Sequence, residues 1–436
     1  MSHSLAQQKR AIFIWFFFCI LIGLRNWYNT NMFTYLIFTI LAVVVGTVSL
    51  CVLIIRLIKK PSIYAVLKQR RNYFPIILVI VALLVGFLAN KTYPPNFAMP
   101  AFMMSHAPGG IPASIPFGKI VEFFKYQNRF EKVADIGANP NLVPEKSQTP
   151  DTDGIVRISL VAQEVISEIS PGIYFNYWTY NNQVPGPMLR VREGDTIELT
   201  LTNHISSLHP HNIDLHAVTG PGGGAVLTNV RPGETKTFKW KALNPGLYVY
   251  HCATANVSTH NSHGQYGLIM VDPKDEKFAL PKVDKEFYIM QGELYTEGQL
   301  GKKGLVPFDS EALLDGIPNY VTFNGKVEQI PRMHAKVGDI VRMYVGNGGV
   351  NLISSFHVIG EIFDTVYPNA NIGGALEHNT QATAVLPGGA SIVEFKLEVP
   401  GKYLLVDHAL ARMNKGAWAV LEVSGDESSD IFSAGK

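Results

Sequence analysis

Cysteine is scarce: 3 residues in 436. Cys19 and Cys51 sit inside apolar runs, so Cys252 is the only cysteine of the remaining chain. A disulfide framework is therefore excluded. Acidic side chains are absent from residues 1–96, which carry ten Lys or Arg; the other 340 residues hold 27 basic and 35 acidic groups. The formal charge of +2 is thus the sum of two unlike parts. Because the basic part is also the apolar part, a uniform basic surface of the kind that binds nucleic acid is excluded, and no nucleic-acid partner is expected. A hydrophobic content of 47% excludes disorder.

What is present begins with three apolar runs, Ala11 to Leu24, Phe33 to Ile55 and Phe74 to Ala89. A bilayer needs about 20 apolar residues. The second run has that length, and the others reach it with Trp27–Tyr28 and Tyr73 as interfacial anchors. Helices are expected near 11–28, 33–57 and 73–90. A cleaved signal peptide competes for the first run, but no small-x-small site follows it, which favours an uncleaved helix. The loop between the second and third runs carries Arg56, Lys59, Lys60, Lys68, Arg70 and Arg71, against only Arg25 in the preceding loop. Positive-inside bias places the basic loop and the N-terminus in the cytoplasm, and everything after Lys91 on the far side. The basic loop also suits anionic membrane lipid. No run carries a mid-span Asp, Glu, Lys or His, so 1–92 reads as an anchor, with a quinol-binding role left open.

Residues 93–150 have a linker composition, rich in Pro, Gly and Met near their start. A short helix is expected over 119–132, where Ile120, Phe123, Phe124, Gln127 and Phe130 share a face. Met99, Met103, Met104 and His106 carry donors suited to Cu(I), but a greasy juxtamembrane segment is the preferred reading.

From Gly154 the pattern becomes short alternating runs. Gly194-Asp195 recurs as Gly338-Asp339, 144 residues on. Arg231-Pro232-Gly233 recurs as Leu386-Pro387-Gly388, and Asn244-Pro245-Gly246-Leu247-Tyr248 as Val399-Pro400-Gly401-Lys402-Tyr403, both 155 on. His211 and His357 are 146 apart. Ordered matches near one period mean an internal duplication. Two β-sandwich domains are expected, at 151–275 and 283–425, followed by a tail at 426–436.

Three segments of these domains concentrate chemistry. H-N-I-D-L-H holds His211, Asp214 and His216. V-Y-H-C-A-T-A-N-V-S-T-H-N-S-H-G-Q-Y-G holds His251, Cys252, His260, His263 and Gln265. Val406-Asp407 precedes His408. A thiolate, two imidazoles and a weak axial ligand form a blue-copper site, and His211, Cys252 and His260 suit it. On a strand, neighbours face opposite ways. His251 is then free for a second metal, with His216 available to join it, and the Cys252–His251 peptide becomes a short electron route.

These segments, with S-F-H-V-I-G-E-I-F-D and the turn V-P-G-P-M-L-R-V-R-E-G-D, resemble copper-containing nitrite reductase over most of 150–425. Multicopper oxidases share the fold but use H-x-H pairs and an H-C-H triplet. Here Ala253 follows Cys252, which disfavours an oxygen-reducing oxidase. The resemblance implies an all-β chain of two Greek-key cupredoxin sandwiches behind the helical membrane region. It implies one type 1 copper on His211, Cys252 and His260, and one type 2 copper on His216 and His251. It implies His408 of a neighbouring subunit as third type 2 ligand, hence a homotrimer. Asp214 and His357 match the family's proton donors, and Ile359 the residue capping the substrate pocket. The implied activity is one-electron reduction of nitrite to nitric oxide and water, as in denitrification. The membrane reading places it on the periplasmic side of the inner membrane, with a quinol, a cytochrome or a cupredoxin as donor. The family's usual axial Met is replaced by Gln265, a known alternative ligand. His263 reads as an exposed loop residue. The competing reading is a membrane-tethered cupredoxin electron carrier or copper-binding protein without catalytic turnover.

Overall fold

In the computed structural model, residues 32–59, 66, 68–92, 130–146, 153–328 and 330–435 are described. The first apolar run, the Met99–His106 group and most of the helix expected over 119–132 lie outside them. At the end of that helix, Glu131–Lys132 is instead a strand, pairing with Val165 and Ile166.

The described residues form a helical unit and a β unit. In the helical unit, Met32–Lys59 packs on Tyr73–Thr92. A Cβ at Gly46 would come within 2.7 Å of the Ala82 Cβ, so the small residue lets the two helices approach closely. Counting the described residues alone, no helix is long and apolar enough to cross a membrane.

The β unit follows from alternation. Thr196–Asn203 buries every second residue, placing Ile197, Leu199 and Leu201 in a core. Four sheets result. One runs Gly304–Leu305, Ile173–Tyr180, Ile155–Ser170, Thr196–Asn203, Thr235–Lys241, and faces Leu189–Arg192, Tyr266–Asp272, Gly246–His251, Asp214–Leu215. A second pair runs Tyr320–Phe323, Lys285–Leu294, Ile340–Asn347, Ala390–Lys396, Thr365–Tyr367, and Met333–Lys336, Trp418–Ser424, Gly401–Asp407, Ser354–Ile359, Thr383–Val385. Each pair encloses its own apolar core. Both copies mix parallel and antiparallel pairing in the same way: Ile155–Ser170 runs parallel to Thr196–Asn203 as Lys285–Leu294 does to Ile340–Asn347. These are two cupredoxin-like sandwiches.

The duplication extends to individual residues. Gly194 and Gly338 have φ of 91° and 94°, and Gly246 and Gly401 both have 155°, so the repeated glycines make the same left-handed turns. Asn203 donates its amide to the carbonyls of His209 and Val230; Asn347 donates to those of Leu352 and Val385.

A third apolar cluster, including Val249, Leu268, Met290 and Tyr344, joins the sandwiches. Beside it Arg190 binds Asp272 at 2.7 Å, Arg342 binds Glu394 at 2.6 Å, and Glu286 touches both arginines. The two arginines are buried, so each needs its carboxylates.

Candidate metal centre

The strand Gly246–His251 delivers Cys252 at its end, fully buried. The chain then turns through Asn256, held in the left-handed region at φ 67°, into the short helix Val257–Ser262. That helix aims His260 back at Cys252, with Nδ1 3.2 Å from Sγ. Gln265 lies across from Cys252, whose N–H donates to its carbonyl, and Gln265 Oε1 is 3.2 Å from His260 Nδ1. His211 enters from the other side, where its backbone bridges Val230. One donor atom each from His211, Cys252 and His260 falls within 4.8 Å of the others, all buried. The Asn212 N–H donates to Sγ at 3.5 Å.

Burial would raise the Cys252 pKa, but His260 and His211 outweigh it and hold the thiol well below its usual range. A thiolate is what a metal requires. His211 is raised to about 9, because Cys252 and then Glu164 overcome its burial. The triangle is built to hold positive charge. Both ring nitrogens of His211 and Gln265 Nε2 are buried without a hydrogen-bond partner, a cost that a bound cation on this donor set offsets at one nitrogen of the histidine. The set of one thiolate, two imidazoles and one amide suits copper.

His251 points the opposite way. Asp214 pairs with it across the strands, so both side chains share a face, and His216 lies two residues along on that same face. His216 Nε2 is 3.1 Å from His251 Nε2, and Asp214 Oδ2 is 4.0 Å from the latter. His251 Nδ1 donates to the Cys252 carbonyl at 3.0 Å, which leaves Nε2 for a metal. Two imidazole nitrogens aimed at one point suit a metal shared between them. The protein packed round the His216 ring, then the neighbouring His251, push its pKa down although one edge is open to solvent. A Cβ on Gly223 would sit 1.8 Å from Asp214 Oδ1, so only glycine allows that loop to close over the carboxylate.

His408 does not join this group. It follows Asp407, exposed, with its ring 5.4 Å from that of His357. Ile359 is exposed on the same strand face as His357, whose Nδ1 donates to the Gln381 carbonyl. One chain thus presents two separate sets, Asp214–His216–His251 and His357–Ile359–His408. Asp407 anchors the second: its oxygens accept from Ser355 N, Ala409 N, Gln291 Nε2 and Arg412.

Two expectations need correction. His263 is buried rather than exposed; it stacks on Trp178 at 4.3 Å and on Phe175 at 5.1 Å, and burial drives its pKa down to about 3. His357 is also not the repeat of His211. Asp214 pairs with His251 as His357 pairs with Val406, and His211 pairs with Val230 as Ser354 pairs with Val385. The counterpart of His357 is therefore Asp214, and that of His211 is Ser354.

Three residues came only with the fold. Trp178 packs at 4.5 Å against both the His209 and His260 rings. His209 itself is part-exposed. Glu164, fully buried, lies 3.4 Å from His211 Nε2. Burial works to raise its pKa, but His209 and His211 outweigh it and keep the carboxyl well below the usual range.

Fold and donor sets together define a two-sandwich copper protein of the multicopper oxidase type. The comparisons agree. A multicopper oxidase family profile matches residues 165–276. The chain is 52% identical over 281 residues to the copper-containing nitrite reductases of Neisseria meningitidis serogroup A and Neisseria gonorrhoeae, spanning 64% of this chain and 72% and 70% of theirs. A copper nitrite reductase structure from Nitrosomonas europaea superposes with a TM-score of 0.56 at 33% identity, covering 63% of this chain and 95% of that one. The chain belongs to the copper-containing nitrite reductase family, and it is a copper-dependent oxidoreductase.

Proposed function

We propose that this chain reduces nitrite to nitric oxide and water, using one electron and two protons. The observation that carries this is the adjacency of Cys252 and His251: one peptide bond links the buried thiolate group to the imidazole pair. On this reading His211, Cys252, His260 and Gln265 hold type 1 copper. His216 and His251 hold type 2 copper with His408 of a neighbouring subunit. Copper, when bound, supplies the one-electron change and an open position for an oxygen anion.

The chain supplies the rest. The Cys252–His251 backbone, closed by the 3.0 Å bond from Nδ1 to the Cys252 carbonyl, is the short electron route. Asp214 donates one proton from the wall that Gly223 allows to close. His357, held by the Gln381 carbonyl, donates the second. Ile359 covers the pocket with an apolar surface. That the two sets are not brought together within one chain, and that each has an exposed member, supports assembly as a homotrimer, in which one chain's His357–Ile359–His408 set meets another's Asp214–His216–His251. Gln265 places a harder oxygen donor where the family carries a thioether, which favours oxidised copper and suits a low-potential donor.

We further propose that residues 1–92 anchor the enzyme in the inner membrane, with the catalytic domains on the periplasmic side and lipid bound at the basic loop. The apolar runs and the Lys/Arg asymmetry support this. A membrane quinol, a cytochrome or a cupredoxin would then deliver the electron.

The deciding experiment combines EPR with nitric oxide production from nitrite and a chemical reductant. Both copper signals and nitric oxide release are expected. Two coppers per chain without nitric oxide, and no effect of Asp214→Asn, would instead identify a tethered electron carrier.

A further inference from the structure

Glu164 sits on the strand Ile155–Ser170 with no exposure at all. Its Oε1 accepts the backbone N–H groups of Leu208 at 2.8 Å and His209 at 2.7 Å, and lies 3.1 Å from His209 Nδ1. The same oxygen is 3.4 Å from His211 Nε2, at ion-pair distance but outside good hydrogen-bond geometry. Its other oxygen is buried with no hydrogen-bond partner. A buried carboxylate with one oxygen unsatisfied is costly unless positive charge stands nearby.

The second sandwich shows that the loop does not need that charge. Ala162 pairs with Asn203 as Gln291 pairs with Asn347, so two residues along each strand Glu164 corresponds to Glu293. Glu293 holds the matching loop through the N–H groups of Asn351 and Leu352. Both its oxygens are engaged, the second also by the Tyr295 hydroxyl. Faced with no histidine ligand, Glu293 has its pKa raised by burial. Loop anchoring is common to both copies; of the two corresponding glutamates, Glu164 faces an imidazole and Glu293 does not.

We propose that Glu164 is a positioning residue that orients His211 through its outer nitrogen and biases the type 1 copper toward its oxidised state. The inference rests on the reading that the buried cluster holds type 1 copper. With Nε2 turned to Glu164, Nδ1 is left for the metal. The oxidised site carries one more positive charge than the reduced one, so a fixed anion behind a ligand stabilises it selectively. Glu164, beside His211, and Gln265, beside His260, then act in the same direction.

The test is a redox titration of the blue absorption band in the copper-loaded, full-length protein, comparing wild type with Glu164→Gln. The amide keeps an oxygen for the Leu208 and His209 N–H groups but removes the charge. Copper content and the blue band should be retained. The reduced-to-oxidised ratio at a fixed potential should rise tenfold or more, equivalent to about 59 mV for a one-electron couple. Glu164→Asp, which keeps the charge but withdraws it by one methylene, should shift the ratio the same way by less, and decides the matter if the glutamine variant does not load. An unchanged or lowered potential overturns the proposal, even if thermal stability falls, since loop anchoring alone would not move a potential. Absence of a blue band from the wild-type protein would instead defeat the underlying assignment.

Discussion

The two sandwiches place different chemistry at the same buried point. Gly246 and Gly401 begin equivalent strands with equal φ, so six residues on Cys252 corresponds to Asp407. In the first copy a thiolate is surrounded by His211 and His260. In the second a carboxylate is neutralised by Arg412 at 2.6 Å and accepts a hydrogen bond from the Gln291 amide at 3.0 Å. Ser354 stands where the first copy has His211, and its hydroxyl bonds Gln291. The scaffold therefore offers a buried polar point on each side, and a few substitutions decide whether it collects a metal or a salt bridge. The outward-facing positions diverge in a complementary way. Asp214 and His357 are counterparts, as are His216 and Ile359, so the two proposed proton donors are one position used twice.

That comparison can be tested from its strongest contrast downward. Cys252→Ser should abolish the blue band and reduce donor-driven nitrite turnover to background. Asp407→Asn, its counterpart, should leave the blue band intact; optical spectra of the two variants check this directly. Next, Asp214→Asn and His357→Gln should each lower kcat by roughly 10²–10⁴-fold, the span of a lost general acid, with both coppers retained. A large loss in only one would break the equivalence of the two positions. Arg412→Met should cost about 3 kcal/mol in denaturant unfolding, because it leaves Asp407 buried beside fewer compensating donors. It should also disorder His408, whose N–H is held by the Ser355 carbonyl next to Asp407. The smallest effect is expected at Glu293. Burial raises its folded pKa, so its contribution to stability is present below the ordinary carboxyl value near 4.5 and is lost as pH rises through the folded value. Glu293→Gln should flatten the pH dependence of unfolding above 4.5, read as melting temperature against pH.

Much of this was legible in the sequence because strand alternation and repeated turns leave local marks. The Gly-Asp and Pro-Gly repeats indicated two similar sandwiches, and the His-Cys adjacency predicted ligands on opposite faces. Register was not legible. The 146-residue spacing of His211 and His357 looked like the repeat, yet cross-strand pairing assigns His357 to Asp214, since the offset differs from one turn to the next. Glu164 could not be connected to His211, because one lies on a strand and the other on a loop far along the chain. It had one usable signal, the match to Glu293 across the parallel strands, but that needs the pairing to be seen. His263 looked like a loop residue since polar neighbours surround it in sequence; in space Phe175, Trp178 and Phe308 enclose it. Asp407 carries a legible mark, since the 155-residue offset matches it to Cys252.

The packing of Trp178 has an optical consequence. Its indole is 6% exposed and lies edge-on to the rings of His211 and His260, at 5.6 and 4.5 Å. An indole that close to a paramagnetic ion loses its fluorescence. The emission of Trp178 should therefore fall when the inner site holds oxidised copper and recover when that copper is reduced, whereas loading of the outer imidazoles alone should leave it unchanged.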